Sequence, residues 1–126
     1  MIGKIYSSLT PYYDIKTGQN KFKKRPVLII SGPRNNDYTV LPISRISKKE
    51  NIDDYYDVEV SPEEYPKLNL NSTSYVRTHK QTVIHRGSLS GEIGDLRGEY
   101  EDLYHLILKR LEEFNTYIME SALERT

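Results

Sequence analysis

The chain has 126 residues, with 18 Lys/Arg balanced by 18 Asp/Glu and no cysteine. This length fits one domain over residues 1–126, with a core that needs no cross-links, and the absence of cysteine excludes a disulfide framework and a thiolate metal site. No segment approaches the roughly 18 apolar residues of a membrane span, and "MIGKIYSSLT" lacks the apolar run of a signal peptide, so a cytoplasmic protein with no membrane partner is the expectation.

In chain order, "IGKIY" reads as a first strand. The polar stretch that follows, "SSLTPYYDIKTGQNKFKK", reads as a long loop of the kind that is often functional. "PVLII" is a buried strand with Pro26 tolerated at its start. "GPRNND" is a turn, and "YTVLPIS" returns as the antiparallel partner, with Pro42 marking a bulge or an edge. "YYDVEV" alternates as a half-exposed strand before the two-proline loop "SPEEYPKLNLN". "STSYVRTHKQTVI" is one long strand or two with a break, and "GEIG" is a short closing strand. From Asp95 the period changes. Tyr100, Leu103, Tyr104, Ile107, Leu108, Leu111, Phe114 and Ile118 fall on one face of an amphipathic helix, with Asp95 as N-cap and Gly98 weakening the first turn. The fold class is therefore mainly β, several short antiparallel strands closed by one long C-terminal helix.

The zero net charge conceals a segregation along the chain. Residues 1–50 carry 10 Lys/Arg against 3 Asp/Glu, whereas residues 51–66 carry six acids and no base. A fold that gathers the basic segments gains a positive face, and local potential governs polyanion binding more than net charge does. The other reading of these charges is a mixed solvated surface. The usual catalytic signatures are missing: no Gly-rich phosphate loop, no HExxH and no Gly-x-Ser-x-Gly. Three histidines, at 79, 85 and 105, make no metal cluster, so no metal and no cofactor is expected.

The order "IGKIY", "KKRPVLIIS", "TVLPIS", "SYVRTHKQTVIHRGSL" and a helix opening near "IGDL" resembles the MazF/PemK (Kid) toxins of type II toxin–antitoxin modules over nearly the whole chain. The most specific element is Arg25-Pro26 opening an apolar strand soon after a Gly-x-Ile-Tyr strand. The resemblance implies an SH3-like small antiparallel barrel of the CcdB/MazF/PemK type, a homodimer, a cognate antitoxin partner and a metal-independent endoribonuclease acting on single-stranded RNA. In such enzymes the RNA's own 2′-hydroxyl attacks, giving a 2′,3′-cyclic phosphate and a 5′-hydroxyl.

The catalytic residues expected on this basis are Arg25, Ser44 and His79. Arg25 matches the family's Arg-Pro arginine, and its planar, permanently charged fork suits a phosphorane that carries more charge than the diester. Its other reading is a structural ion pair with an acid elsewhere. Ser44 matches the hydroxyl residue that ends the third strand and donates to a phosphate oxygen; the plain reading is a turn serine. His79, with His85 behind it, is the expected acid–base group, because histidine titrates in the useful range. Strand alternation places Thr78 and Lys80 on one face, toward the phosphate, and Arg77 with His79 on the other, and Thr78, Lys80 and Arg77 are expected to bind RNA. Lys23, Lys24 and Tyr13, in the polar stretch after the first strand, are expected to bind RNA through charge and stacking. Two departures stand out: Lys4 where the family carries an acid, and Lys80-Gln81-Thr82 where it carries Gln-x-Arg. They favour a non-catalytic SH3-like binding module as one alternative. The other alternative, a CcdB-like gyrase-binding toxin, relies on a tryptophan near the C-terminus, and this chain has no tryptophan.

Overall fold

The computed structural model describes residues 1–124. The central apolar run of the sequence becomes the middle of a long hairpin, β1 (Lys4–Asp14) and β2 (Gln19–Arg34), paired in unbroken register from Ile5↔Leu28 to Asp14↔Gln19. The polar stretch expected to be a loop is therefore strand on both sides of a tight tip. The tip closes by its own chemistry: Gly18, at φ +67, donates its N–H to the Asp14 carbonyl at 2.8 Å. The Asp14 carboxylate accepts the Lys16 N–H at 2.9 Å and pairs with Lys21 at 2.9 Å. Both neighbours hold that carboxyl below its usual range, the Lys21 contact contributing most.

β2 turns through Asn35 and Asn36, both with positive φ, into β3 (Asp37–Ser44). Asparagine tolerates this left-handed backbone, which is why the "GPRNND" turn forms where the sequence placed it. Pro42 sits within β3 opposite Val27 with no register shift beside it, so the expected bulge at this position is absent. Its missing N–H is tolerated for another reason. The far edge of β3 pairs with β6 (Thr82–His85) over Asp37–Val40 and with β5 (Ser74–Arg77) over Ile43–Ser44, leaving Leu41 and Pro42 between partners.

β4 (Asp57–Val60) and β7 (Leu89–Asp95) complete a curled antiparallel sheet of order β4-β5-β3-β2-β1-β7, an SH3-like barrel with β6 beside the first half of β3. "STSYVRTHKQTVI" is thus two strands, separated by a turn in which the Lys80 N–H meets the Arg77 carbonyl at 3.1 Å. The continuous apolar run in β2 reflects burial on both faces. Leu28 and Ile30 pack with Ile5, Leu41, Ile43 and Ile107 on one face; Val27 and Ile29 pack with Tyr38 and Val40 on the other.

Asp95 caps the helical region by accepting the Gly98 N–H at 2.9 Å. A single turn, α1 (Leu96–Glu99), is followed by a break at Tyr100 (φ −139) and then the long α2 (Glu101–Ala122). Leu103, Tyr104 and Ile107 bury the helix against the sheet, as their spacing requires. No helix among the described residues is long and apolar enough to cross a membrane.

Candidate functional site

Arg25 stands on β2 directly opposite Ser8 of β1. The Ser8 side chain is fully buried, and its hydroxyl donates to the Arg25 carbonyl at 3.0 Å. With Pro26 restricting the residue before it, the Arg25 backbone is fixed from both sides while its side chain is exposed. Among the described residues no carboxylate pairs with it. Arg25 is thus a cation on a fixed stretch of backbone, without a counter-ion among the described residues.

Arg25, Pro26 and Ser44 form a ridge between two clefts, bordering both. The first cleft, of about 350 Å³, gathers Lys23, Lys24 and Arg45 and has no acidic residue in its wall. Its far side is the polar loop from Asn69 to Ser74, where the Ser72 hydroxyl has no hydrogen-bond partner. The second cleft, of about 460 Å³, is more apolar and is bordered by Leu9, Pro11, Tyr12, Val83 and His85. The charge segregation read in the sequence therefore becomes one acid-free basic recess beside an apolar one. Such a pairing can hold an anion at the ridge and flat apolar groups beside it.

The expected site residues separate into two groups. Arg25, Ser44, Lys23 and Lys24 come together at the ridge and first cleft. Tyr13, 61% exposed, lies further out on the hairpin, while its neighbour Tyr12 enters the second cleft. The expected residues of the 77–80 segment are elsewhere. Thr78 is fully buried and donates its hydroxyl to the Tyr56 carbonyl at 2.7 Å, so it cannot face a phosphate as its place in the alternation suggested. Arg77 is engaged by Asp57, Nε to Oδ1 at 3.0 Å and Nη2 to Oδ2 at 3.4 Å, and by the Asn51 carbonyl at 3.3 Å. Lys80 is exposed in the turn between β5 and β6 and borders neither cleft.

His79 is only 13% exposed at its side chain and packs against the Tyr56 and Phe114 rings, at 6.1 and 6.0 Å, which meet each other at 4.9 Å. It borders neither cleft. Burial pushes its pKa below the ordinary 6.5, and this outweighs the opposing pull of Asp57, whose Oδ1 lies 3.7 Å from Nδ1. A neutral imidazole at that distance has no hydrogen bond, and Nδ1 has no partner. His85 occupies the place expected of His79. It borders the second cleft with Arg25 and Ser44, and its Nδ1 accepts the Gly87 N–H at 2.9 Å, which leaves the proton of the neutral ring on Nε2.

Residues 3–114 match the family described as PemK-like, MazF-like toxins of type II toxin–antitoxin systems. The chain belongs to that family. Solved structures agree at the level of fold. Mycobacterium tuberculosis toxin MazF-mt6 superposes with a TM-score of 0.62 at 20% identity, covering 90% of this chain and 96% of that one. An endoribonuclease in complex with its cognate antitoxin from a mycobacterial species gives 0.63 at 16% identity, covering 92% and 94%. A further M. tuberculosis toxin gives 0.52 at 22% identity, covering 71% and 91%. No curated protein matches the chain.

Within this toxin, sequence reasoning missed Arg45 and the Asn69–Ser74 wall. Arg45 was accessible, since it follows Ser44 directly and belongs to the basic first fifty residues. The wall carries no charge and no periodicity, and only the fold brings it opposite Lys23 and Lys24. It is anchored by Asn69, in left-handed conformation at φ 58, whose amide donates to the Ile93 carbonyl at 2.9 Å. β7 approaches so closely here that a Cβ at Gly94 would lie 3.0 Å from Leu68 Cα and carbonyl oxygen.

Proposed function

We propose that this toxin is a metal-independent endoribonuclease of single-stranded RNA, homodimeric and neutralised by a cognate antitoxin. The observation that carries the reading is Arg25: exposed, fixed at its backbone by Ser8 and Pro26, unpaired among the described residues, and bordered by an acid-free basic cleft. A phosphodiester on the ridge meets the guanidinium and the Ser44 hydroxyl. The 2′-oxygen of the RNA attacks phosphorus and loses its proton to solvent. The 5′-oxygen leaves, takes up a proton, and a 2′,3′-cyclic phosphate remains. Negative charge on the equatorial oxygens peaks in between, so a preorganised guanidinium stabilises that species more than the bound diester.

His85, rather than His79, is the histidine of this site. With Nδ1 occupied by Gly87, it offers Nε2–H to a phosphate oxygen and is a donor rather than a base. Lys4, the departure that favoured a silent binding module, pairs with Glu92 at 3.2 Å and borders neither cleft, so it leaves the ridge chemistry intact. Purified toxin incubated in EDTA with a long, weakly structured RNA should yield fragments ending in cyclic phosphates and beginning with 5′-hydroxyls. Intact RNA would overturn the reading.

A further inference from the structure

The two clefts flanking Arg25 differ in chemistry, and a phosphodiester on the ridge directs its two neighbouring nucleotides to opposite sides. Resting on the endoribonuclease reading, we propose that only one of the two flanking bases is read by hydrogen bonding, in the first cleft, by Asn71 and Ser72, while the other is held in the second cleft by stacking and carries little sequence information.

The first cleft has the donors and acceptors for reading a base. Asn71 is exposed on its wall, and its amide presents a donor and an acceptor side by side, the combination that matches the edge of a splayed base. Beside it the Ser72 hydroxyl is buried in the absence of ligand yet has no partner in the protein. Because that hydroxyl makes no bond within the described residues, none has to break for it to turn toward a base beside Asn71. The neighbouring polar groups are already committed: Asn69 to the Ile93 carbonyl, and the Ser74 hydroxyl to the Ser72 carbonyl at 3.0 Å. Asn71 and Ser72 are therefore the members of this wall left to specify, and the cleft volume of about 350 Å³ lies in the range of small-ligand pockets.

The second cleft has a different character. Tyr12, Pro11 and Val83 present flat or apolar surface, and stacking on an aromatic face tolerates any base.

The test sequences both ends of fragments produced from a randomised RNA by wild type, Asn71→Ala, Ser72→Ala and Tyr12→Ala. Asn71→Ala should weaken discrimination by about 10-fold, in the range of one lost bidentate contact, at one flank of the cut only. Ser72→Ala should relax the same flank, and Tyr12→Ala should slow all sequences alike with no change in preference. Unaltered preference in both Asn71→Ala and Ser72→Ala, in proteins that melt like wild type, would overturn the inference while leaving the nuclease in place. Preference lost equally at both flanks would also overturn it. Failure of wild type to cut any sequence would remove the endoribonuclease reading itself.

Discussion

At the residue scale, some charged and titratable side chains are consumed by the fold and others are left to face the clefts. Arg25 and Arg77 are both arginines on strands, yet Arg77 is bound to Asp57 and Asn51 while Arg25 pairs with no acid among the described residues. Arg25→Lys should fail to restore activity, because an ammonium cannot present the guanidinium's planar fork to two phosphate oxygens. The two histidines divide in the same way. His85→Gln, which keeps an N–H donor near the Nε2 position, should retain more cleavage than His85→Ala in single-turnover assays. For His79 the expected effect is on stability. Its folded pKa lies below its unfolded 6.5, so between the two values the unfolded chain binds more protons and stability rises with pH. The stabilisation is present above about 6.5 and is lost as pH falls through that window, with Asp57, Asp53, Arg77 and Lys80 as the charges that modulate it. His79→Phe should flatten the slope of thermal stability between pH 5 and 7 without abolishing cleavage; a slope like wild type's would contradict this assignment.

At the element scale, what was legible followed from solvent exposure. β2 and β3 announced themselves by apolar residues buried on both faces, and α2 by one periodic buried face. The outer half of the β1–β2 hairpin did not, since its side chains lie in water on both faces: Ile15 at the tip is 88% exposed and Phe22 69% exposed. Backbone pairing and the Asp14–Gly18 turn hold it, and neither leaves a hydrophobic pattern. His79 was expected at the site because its segment, which includes residues 78–81, aligns with the family's site strand. The chain turns there, so β5 and β6 take different parts of β3 and His85 reaches the cleft instead. The position of Arg25 and Ser44 beside the clefts was legible because each sits at a fixed place on a strand that the sequence marks clearly, whereas Asn71 and Ser72 lie on a cleft wall assembled by Gly94 packing against Leu68. The helix supports this frame from one side. Ile107→Ala, at a fully buried position, should lower the unfolding free energy by roughly 2–5 kcal/mol in urea titrations.

At the scale of the whole molecule, a chain with no net charge presents a basic recess because its charges are sorted in space, and that recess is what the proposed RNA substrate requires. In the proposed function Lys23 and Lys24 attract RNA without positioning it, so Lys23→Ala and Lys24→Ala should each weaken RNA binding evenly across sequences. Each should also reduce the slope of log affinity against log salt by about 0.7, the value for one single-strand phosphate contact. Arg25 both attracts and positions, and the central claim is that its guanidinium stabilises the transition state. The most direct test is the single-turnover cleavage rate of one RNA at saturating toxin, in EDTA, for wild type and Arg25→Ala. The account predicts a loss of roughly 100- to 1,000-fold, the size of one preorganised donor to a developing oxyanion, with cyclic-phosphate ends on whatever product remains. Equal rates in the two proteins would contradict it.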